Sequence, residues 1–318
     1  MSGRSIYIDC TQNMAELMSR YPAELTEGVD LHIGDPSPNE LQEIVRGYAG
    51  VLTGHTVLPN SLLAKNAGTL RTVVFLGTGV GNYVDRAAGE ALGINVHHIS
   101  GYGDRSIAEH AFALLLAAAR GLGQMDREIR SGTWQSFEGV ELAGKVLGVV
   151  GTGAVGSELI RIADAFGLTC LAWNRSGVAP SLPCRETTLK ELFREADAIS
   201  IHIAYATETH EMIGASLLNS VKPGAILVNT ARGGVMDEVA LISALTDGPL
   251  RHAALDVFTE EPLGMASALI GMENVTLSSH AAWKTPDASD RLMKRGLGIL
   301  QSDLAAPVSK LTDPADER

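Results

Sequence analysis

Positive charge is in short supply in this sequence: 25 lysines and arginines stand against 37 aspartates and glutamates, for a formal net charge of −12. Such a chain repels polyanions, so nucleic acid is excluded as an expected partner. Cysteine is scarce as well. Cys10, Cys170 and Cys184 are scattered, odd in number and without metal-ligand spacing. That excludes a disulfide framework and gives no metal site. The three read as structural thiols in a reducing, cytoplasmic setting. Aromatic residues are few. No apolar run is long enough for a bilayer: the most apolar stretch, Ala111–Ala119, is closed by His110 and Arg120 and reads as a buried helix, so no membrane association is expected. The segment Met1–Asp9 has one basic residue and no long apolar stretch, unlike a signal peptide. There is no run of five like charges, no repeat of 20–50 residues and no low-complexity segment.

What is present is apolar material for packed cores and glycine for tight turns, in a chain of 318 residues, enough for two ordinary domains. Short β-type runs alternate with helical stretches, the pattern of an α/β protein with parallel sheets. Strands are expected at Ile6–Ile8, Val29–Ile33, Val51–Leu52, Arg71–Phe75 and Val96–His98, with helices at Asn13–Tyr21, Asn39–Gly47, Pro59–Asn66 and Val84–Leu92. This reads as one small doubly wound domain. A long helix, Ser106–Arg120, and a second one reaching Ser131 lead to a further α/β unit. Its expected strands are Val146–Val150, Thr169–Trp173, Ala198–Ile203, Ala225–Asn229, Ala253–Val257 and Val275–Leu277. Its expected helices are Ala154–Ala165, Leu189–Glu195, Ala215–Ser220 and Glu238–Asp247. A last helix covers Ala288–Leu304, and a loose tail is expected at Asp313–Arg318. The Ile107–Arg120 helix is apolar nearly all round, which calls for burial on more than one side; a second subunit in a two-fold homodimer would provide cover.

The first chemical signal is Gly151-Thr152-Gly153-Ala154-Val155-Gly156, which follows an apolar strand and opens a helix. In that context the first glycine permits the tight turn, the second lets a pyrophosphate approach the backbone, and the third lets helix and strand pack closely. The phosphates then face the positive end of the helix dipole. The competing reading is an ordinary strand-to-helix turn of small residues. Roughly 20 residues on, where an acid would hold the ribose 2′-hydroxyl of NAD, stand Asn174, Arg175 and Ser176. A guanidinium can grip a 2′-phosphate with forked hydrogen bonds. The expected cofactor is therefore NADP, with NAD the alternative if Arg175 only stacks on adenine or faces water.

Three further segments follow in order: Asn229-Thr230-Ala231-Arg232-Gly233, Asp256–Pro262 and Ser278-Ser279-His280. Each ends or follows a strand of the second unit, where open parallel sheets bind their ligands. Reduction of a ketone needs a proton donor, and histidine suits neutral pH. A carboxylate beside it favours the charged imidazole and fixes its tautomer. A 2-keto acid also needs a cation for its carboxylate and carbonyl oxygen. His280, Glu261 and Arg232 are the candidates for these roles. Singly, each has a plainer reading: a structural histidine, a solvated acidic turn at Glu260 and Glu261, an ion pair of Arg232 with Asp237 or Glu238.

Together with Ile107-Ala108-Glu109-His110, Arg130-x-Gly132-x-Trp134 and Leu142-x-Gly144-Lys145, these segments resemble the D-isomer-specific 2-hydroxyacid dehydrogenase family over nearly the whole chain, in the manner of glyoxylate/hydroxypyruvate reductases or phosphoglycerate dehydrogenases. The resemblance implies a Rossmann cofactor domain, 103–282, inserted into a discontinuous flavodoxin-like substrate domain, 1–102 plus 283–318, with the active site in the cleft and dimerisation through the cofactor domains. It implies His280 as acid/base, Glu261 as its partner and Arg232 as the substrate-binding cation. It places Asp256 toward the nicotinamide, Thr230 and Ala231 in the nicotinamide pocket, and His202 and Thr209 on a loop beside the cofactor. The backbone of Leu76-Gly77-Thr78-Gly79 would receive the substrate carboxylate.

The sequence departs from the family pattern in the spacing of that substrate loop, in Ala204 where proline is common, and in Trp283 where a small residue often follows the histidine. The tryptophan resembles hydroxypyruvate or glycerate dehydrogenases, or is a packing residue. Formate dehydrogenases of the superfamily have glutamine at the Glu261 position, which weighs against formate. The leading expectation is thus an NADPH-preferring reductase of small 2-keto acids. The alternatives are a nucleotide-sensing corepressor-like binding protein, against which the lack of interaction tails counts, and a dehydrogenase of a non-2-hydroxyacid such as phosphite.

Overall fold

Every strand pair is parallel, and the strands fall into two separate sheets. The computed structural model describes residues 3–306, which divide into one unit of residues 3–103 with 285–306 and another of residues 104–284. The tail expected at Asp313–Arg318 lies outside the described residues. No helix among those described is long and apolar enough to cross a membrane.

The first unit holds β1 Ser5–Cys10, β2 Val29–Ile33, β3 Gly50–Thr53, β4 Thr72–Phe75 and β5 Asn95–His98, in the order β2-β1-β3-β4-β5. This is the flavodoxin-like doubly wound order. Its central strands are apolar because helices cover both faces. On one face Ile8, Val51, Val73 and Leu63 are wholly buried together. On the other lies the Pro286–Ala305 helix, far away in sequence, which packs on β3 and β4 through Leu297, Leu300 and Leu304. Gly50 leaves room for it: a Cβ there would stand 2.6 Å from Leu300 Cδ1. Arg71 ties down the helix end by donating to the carbonyls of Asp303 (3.0 Å) and Leu304 (3.2 Å).

The second unit holds β6 Val146–Val150, β7 Thr169–Trp173, β8 Arg185–Glu186, β9 Ala198–Ile201, β10 Ala225–Asn229, β11 Leu250–Leu255 and β12 Val275–Leu277, in the order β12-β11-β10-β9-β6-β7-β8. The strand order reverses between β6 and β9, the switch point at which a Rossmann sheet opens its ligand crevice. The Asp104–Arg120 helix packs on β10 and β11 and on the Ala154–Phe166 helix, so much of its apolar circumference is covered inside its own unit. Ala113 is exposed and Leu116 and Ala117 are half-buried. Gly121, at φ +61°, breaks the chain into the next helix, Leu122–Arg130.

The expected elements are present, and the differences have local causes. Val84–Leu92 shortens to Arg86–Ala91 because Val84 bridges to Leu58 and Asp85 caps the helix by accepting from Ala88 N–H. Ala198–Ile203 ends at Ile201. The Ala23–Thr26 and Ala268–Gly271 helices and β8 were not expected; at four residues or two they are too short to show a period. All three cysteines are free. Burial raises their thiols, Cys10 to about 11 and Cys170 to about 12, in keeping with structural roles.

Candidate active site

The glycine loop shows a separate steric reason for two of its glycines and an opening at the third. Gly151 has φ +96°, and a Cβ there would lie 2.6 Å from the His202 carbonyl oxygen. At Gly156 a Cβ would fall 2.0 Å from Gly151 O, so helix and strand could not approach as they do. At Gly153 nothing lies within 4 Å of where a Cβ would be. Gly153 is the N-cap of the 13-residue Ala154–Phe166 helix and provides no side-chain cap, leaving the first-turn amides open toward that space. This cradle fits a pyrophosphate. A second observation fits the rest of a dinucleotide: Thr230 is buried, yet its hydroxyl has no hydrogen-bond partner among the described residues.

At the end of β7, Asn174 holds the loop together. Its Oδ1 accepts from Thr152 N–H at 3.3 Å, and its Nδ2 donates to Ser176 Oγ and to Gly177 O, both at 2.9 Å. Arg175 beside it is exposed and has no ion pair among the described residues. His202 follows β9; its Nε2 is 2.8 Å from Ser200 Oγ, and burial lowers it to about 4, so it is neutral. Thr209 shapes its own loop, its hydroxyl donating to Ala204 O and accepting from Ala206 N–H, both at 2.8 Å.

The three candidate catalytic residues are brought to neighbouring strand ends. After β10, fully buried Asn229 accepts from Ala231 N–H (2.9 Å) and donates to Arg232 O (3.0 Å), bending the chain so that Arg232 is exposed. Gly233 lets this bend press on the loop after β11: a Cβ would be 1.9 Å from the Phe258 carbonyl carbon. On that loop, Glu261 accepts from Phe258 N–H at 2.9 Å through Oε1 and meets His280 Nδ1 at 2.6 Å through Oε2. Partial burial would raise the Glu261 carboxyl. The His280 and Phe258 hydrogen bonds, with the charges of His280 and Arg232, outweigh that and hold it below the ordinary range. With Nδ1 engaged as donor to the carboxylate, Nε2 of His280 is the nitrogen left to exchange a proton.

His280 sits at φ +50°, a left-handed conformation rare outside glycine. Asp256, at 0% exposure, binds the turn around it: its carboxylate accepts from Ser278 Oγ (2.6 Å), Ala281 N–H (2.9 Å) and Ala282 N–H (2.9 Å). Burial would raise this carboxyl, but those bonds and His110 overcome it and lower it to about 2. Both Asp256 oxygens are thus turned inward, to the His280 turn. Asn229, Ser278 and the Phe258 amide were missed from sequence. Only Asn229 carried a signal, as a turn-forming side chain closing a strand.

In the first unit, the loop after β4 is narrower in use than its sequence suggested. Leu76 and Gly77 N–H donate to Thr53 O (2.7 Å) and Phe75 O (2.9 Å). The amides of Thr78 and Gly79 have no partner among the described residues.

A Rossmann sheet with an open pyrophosphate cradle and a carboxylate-paired histidine at its strand ends defines the class of nicotinamide-dependent dehydrogenases. Residues 112–282 match the model described as "D-isomer specific 2-hydroxyacid dehydrogenase, NAD binding domain". The chain is 38% identical over 242 residues to a glyoxylate reductase of Aeropyrum pernix, covering 72% of each chain. It is 39% identical over 264 residues to the D-3-phosphoglycerate dehydrogenase of Mycobacterium tuberculosis, covering 81% of this chain but 50% of that one. The chain therefore spans about half the length of that relative. A solved structure of D-2-hydroxyisocaproate dehydrogenase superposes with a TM-score of 0.84, at 25% identity over 95% of this chain and 97% of the other. The chain belongs to the D-isomer-specific 2-hydroxyacid dehydrogenase family, whose reaction moves a hydride between a nicotinamide cofactor and a 2-keto/2-hydroxy acid pair.

Proposed function

We propose that this protein is an NADPH-preferring reductase of small 2-keto acids. The observation that carries the catalytic part is the 2.6 Å contact of His280 Nδ1 with Glu261 Oε2. It makes His280 a donor at Nε2, able to protonate the carbonyl oxygen as it becomes an alkoxide. A bound nicotinamide would supply the hydride. Arg232, exposed on the bend held by Asn229, binds the substrate carboxylate and polarises the carbonyl. In the first unit, the unpartnered amides of Thr78 and Gly79 are donors of the kind a carboxylate accepts from. Gly151, Gly153, Ala154, Val155 and Gly156 hold the pyrophosphate, Thr230 and Ala231 the nicotinamide end, with neutral His202 and the Thr209 loop beside them. In this reading residues 104–284 are the cofactor domain and the remainder the substrate domain.

Asn174 supports the NADPH preference. An aspartate there would repel a 2′-phosphate, whereas the neutral amide keeps the loop folded and leaves the adjacent exposed Arg175 to meet that phosphate. We also read the protein as a cytoplasmic homodimer. The three free thiols, two of them buried, fit a reducing compartment. Trp134, 90% exposed, and the exposed Leu122 and Ile129 of the preceding helix are apolar side chains that a second copy would cover. Light scattering at micromolar concentration should give the dimer mass, and a monomer would refute it.

The function is tested with a panel of 2-keto acids, glyoxylate and hydroxypyruvate included, assayed with NADPH and NADH separately. Turnover should be higher with NADPH, and His280→Ala should lower kcat by about 10²–10⁴-fold while still binding cofactor. A folded His280→Ala protein with near-normal kcat would overturn the assignment.

A further inference from the structure

Behind His280 lies a line of side chains that proton donation does not itself use. His110, in the second turn of the Asp104–Arg120 helix, has Nε2 3.0 Å from Ser278 Oγ. It is farther, 3.5 Å, from Asp256 Oδ1, so the serine contact is the hydrogen bond. Ser278 Oγ donates to Asp256 Oδ1 at 2.6 Å. Asp256 then gathers the turn from three sides: its carbonyl accepts His280 N–H at 2.8 Å, and its carboxylate oxygens accept Ala281 and Ala282 N–H.

Counting protons orients the chain. A serine hydroxyl has one proton, and it goes to the carboxylate. Its oxygen therefore acts as acceptor toward His110, whose Nε2 carries the proton. The direction runs from His110 to Ser278 to Asp256, ending on the amides that flank His280. A fully buried carboxylate needs every such donor. The turn in turn needs an external hold, because a non-glycine residue at φ +50° persists only where its surroundings over-determine it. Removing the first donor frees the serine hydroxyl to rotate, which loosens Asp256 and with it the direction in which the imidazole points.

We propose that His110 and Ser278 are positioning residues for the proton donor, acting through Asp256 to hold the His280 turn in its left-handed conformation and the imidazole against Glu261. This rests on the dehydrogenase reading of the same site and extends it to the long helix.

The test is a cycle of His110→Leu, Ser278→Ala and the double variant, with His110→Gln as the conservative form, whose amide Nε2–H can replace the imidazole donor. His110→Leu should lower kcat about tenfold, as loss of one hydrogen bond to a charged network does, with KM for the keto acid and affinity for reduced cofactor changed less than about twofold. His110→Gln should restore most of kcat. In the Ser278→Ala background, His110→Leu should have a clearly smaller effect than in wild type, because the relay is already cut and only the longer 3.5 Å contact of His110 with Asp256 remains. A readout without turnover is the Nδ1 proton of His280 in an NMR spectrum of the whole protein: its short bond to Glu261 should give a downfield line that broadens in His110→Leu and returns in His110→Gln. Additive losses in the double variant, equal losses in Leu and Gln, or an unmoved resonance would overturn the proposal. Should His110→Leu fail to fold, Ser278→Ala against Ser278→Thr puts the same question to the resonance. If wild type reduces no 2-keto acid, the dehydrogenase reading fails while the resonance still decides the network.

Discussion

Glu261→Gln is the most informative single change, because the wild-type carboxylate accepts two hydrogen bonds at once, from Phe258 N–H (2.9 Å) and His280 Nδ1 (2.6 Å). Glutamine is the same shape but has one oxygen and one NH₂ group. Whichever way the amide turns, one of the two donors faces another donor. If the oxygen keeps His280, the bond loses its ionic character and Phe258 N–H loses its partner. If the oxygen keeps Phe258, the imidazole faces an NH₂. A hydrogen bond to a charged group contributes about 1.5–3 kcal/mol. The two side chains are 40% and 34% exposed, so solvent screens the pair and the lower figure applies. About 1.5 kcal/mol is close to a factor of ten in rate.

Glu261 is ionised throughout the working range, since its carboxyl is held below the ordinary value. The ionic hydrogen bond to His280 Nδ1 is therefore present at every pH of the assay. In the variant the imidazole loses that orientation, and kcat for keto-acid reduction should fall about tenfold across the range, with KM changed less than about twofold. The assay is NADPH oxidation with a 2-keto acid from pH 5 to 10. A kcat within about twofold of wild type would refute the reasoning and leave Glu261 as an anchor for the Phe258 loop alone.

Arg175→Ala should weaken NADPH by about tenfold, the low end for a charge-assisted contact at an exposed site, and leave NADH nearly unchanged; equal effects in fluorescence titrations would remove Arg175 from cofactor selection. Gly153→Ala should separate folding from binding. The added methyl meets nothing within 4 Å, so Tm should hold, while cofactor affinity should fall by about tenfold or more as the methyl enters the phosphate cradle; a lost Tm or unchanged affinity contradicts the geometry. Asp256 should show in the acid stability of the protein. Its carboxyl is lowered from 3.8 to about 2, so its contribution is complete above the unfolded value and disappears as pH falls through about 2. That contribution is on the order of 2 kcal/mol. Asp256→Asn should lower the urea midpoint at pH 7 and flatten its fall between pH 4 and 2, and an acid limb identical to wild type would sink this account.

Much was already determined by the sequence alone, because the information was local. Parallel strands buried on both faces show as continuous apolar runs, as in Val146–Val150 and Ala225–Asn229. The spacing Gly151, Gly153, Gly156 encodes a turn whose positive φ at Gly151 and close approach of Gly156 to the Gly151 carbonyl are local, whereas the carbonyl that crowds Gly151 comes from distant His202. His280, Glu261 and Arg232 were legible because each closes a strand, and strand ends of one parallel sheet face one crevice. What lay beyond reach depends on contacts between distant residues. Nothing local says that Ser278 bonds to His110, 168 residues away, or that Asp256 turns its carboxylate inward to the amides of Ala281 and Ala282. The free and engaged amides of the Leu76–Gly79 loop were equally hidden, since Leu76 is claimed by a carbonyl on the neighbouring strand. Apolar periodicity determines which elements form. Which lone pair meets which proton is decided only when the sheet brings separate strand ends within 3 Å of one another, because hydrogen bonds, unlike apolar burial, require direction as well as proximity.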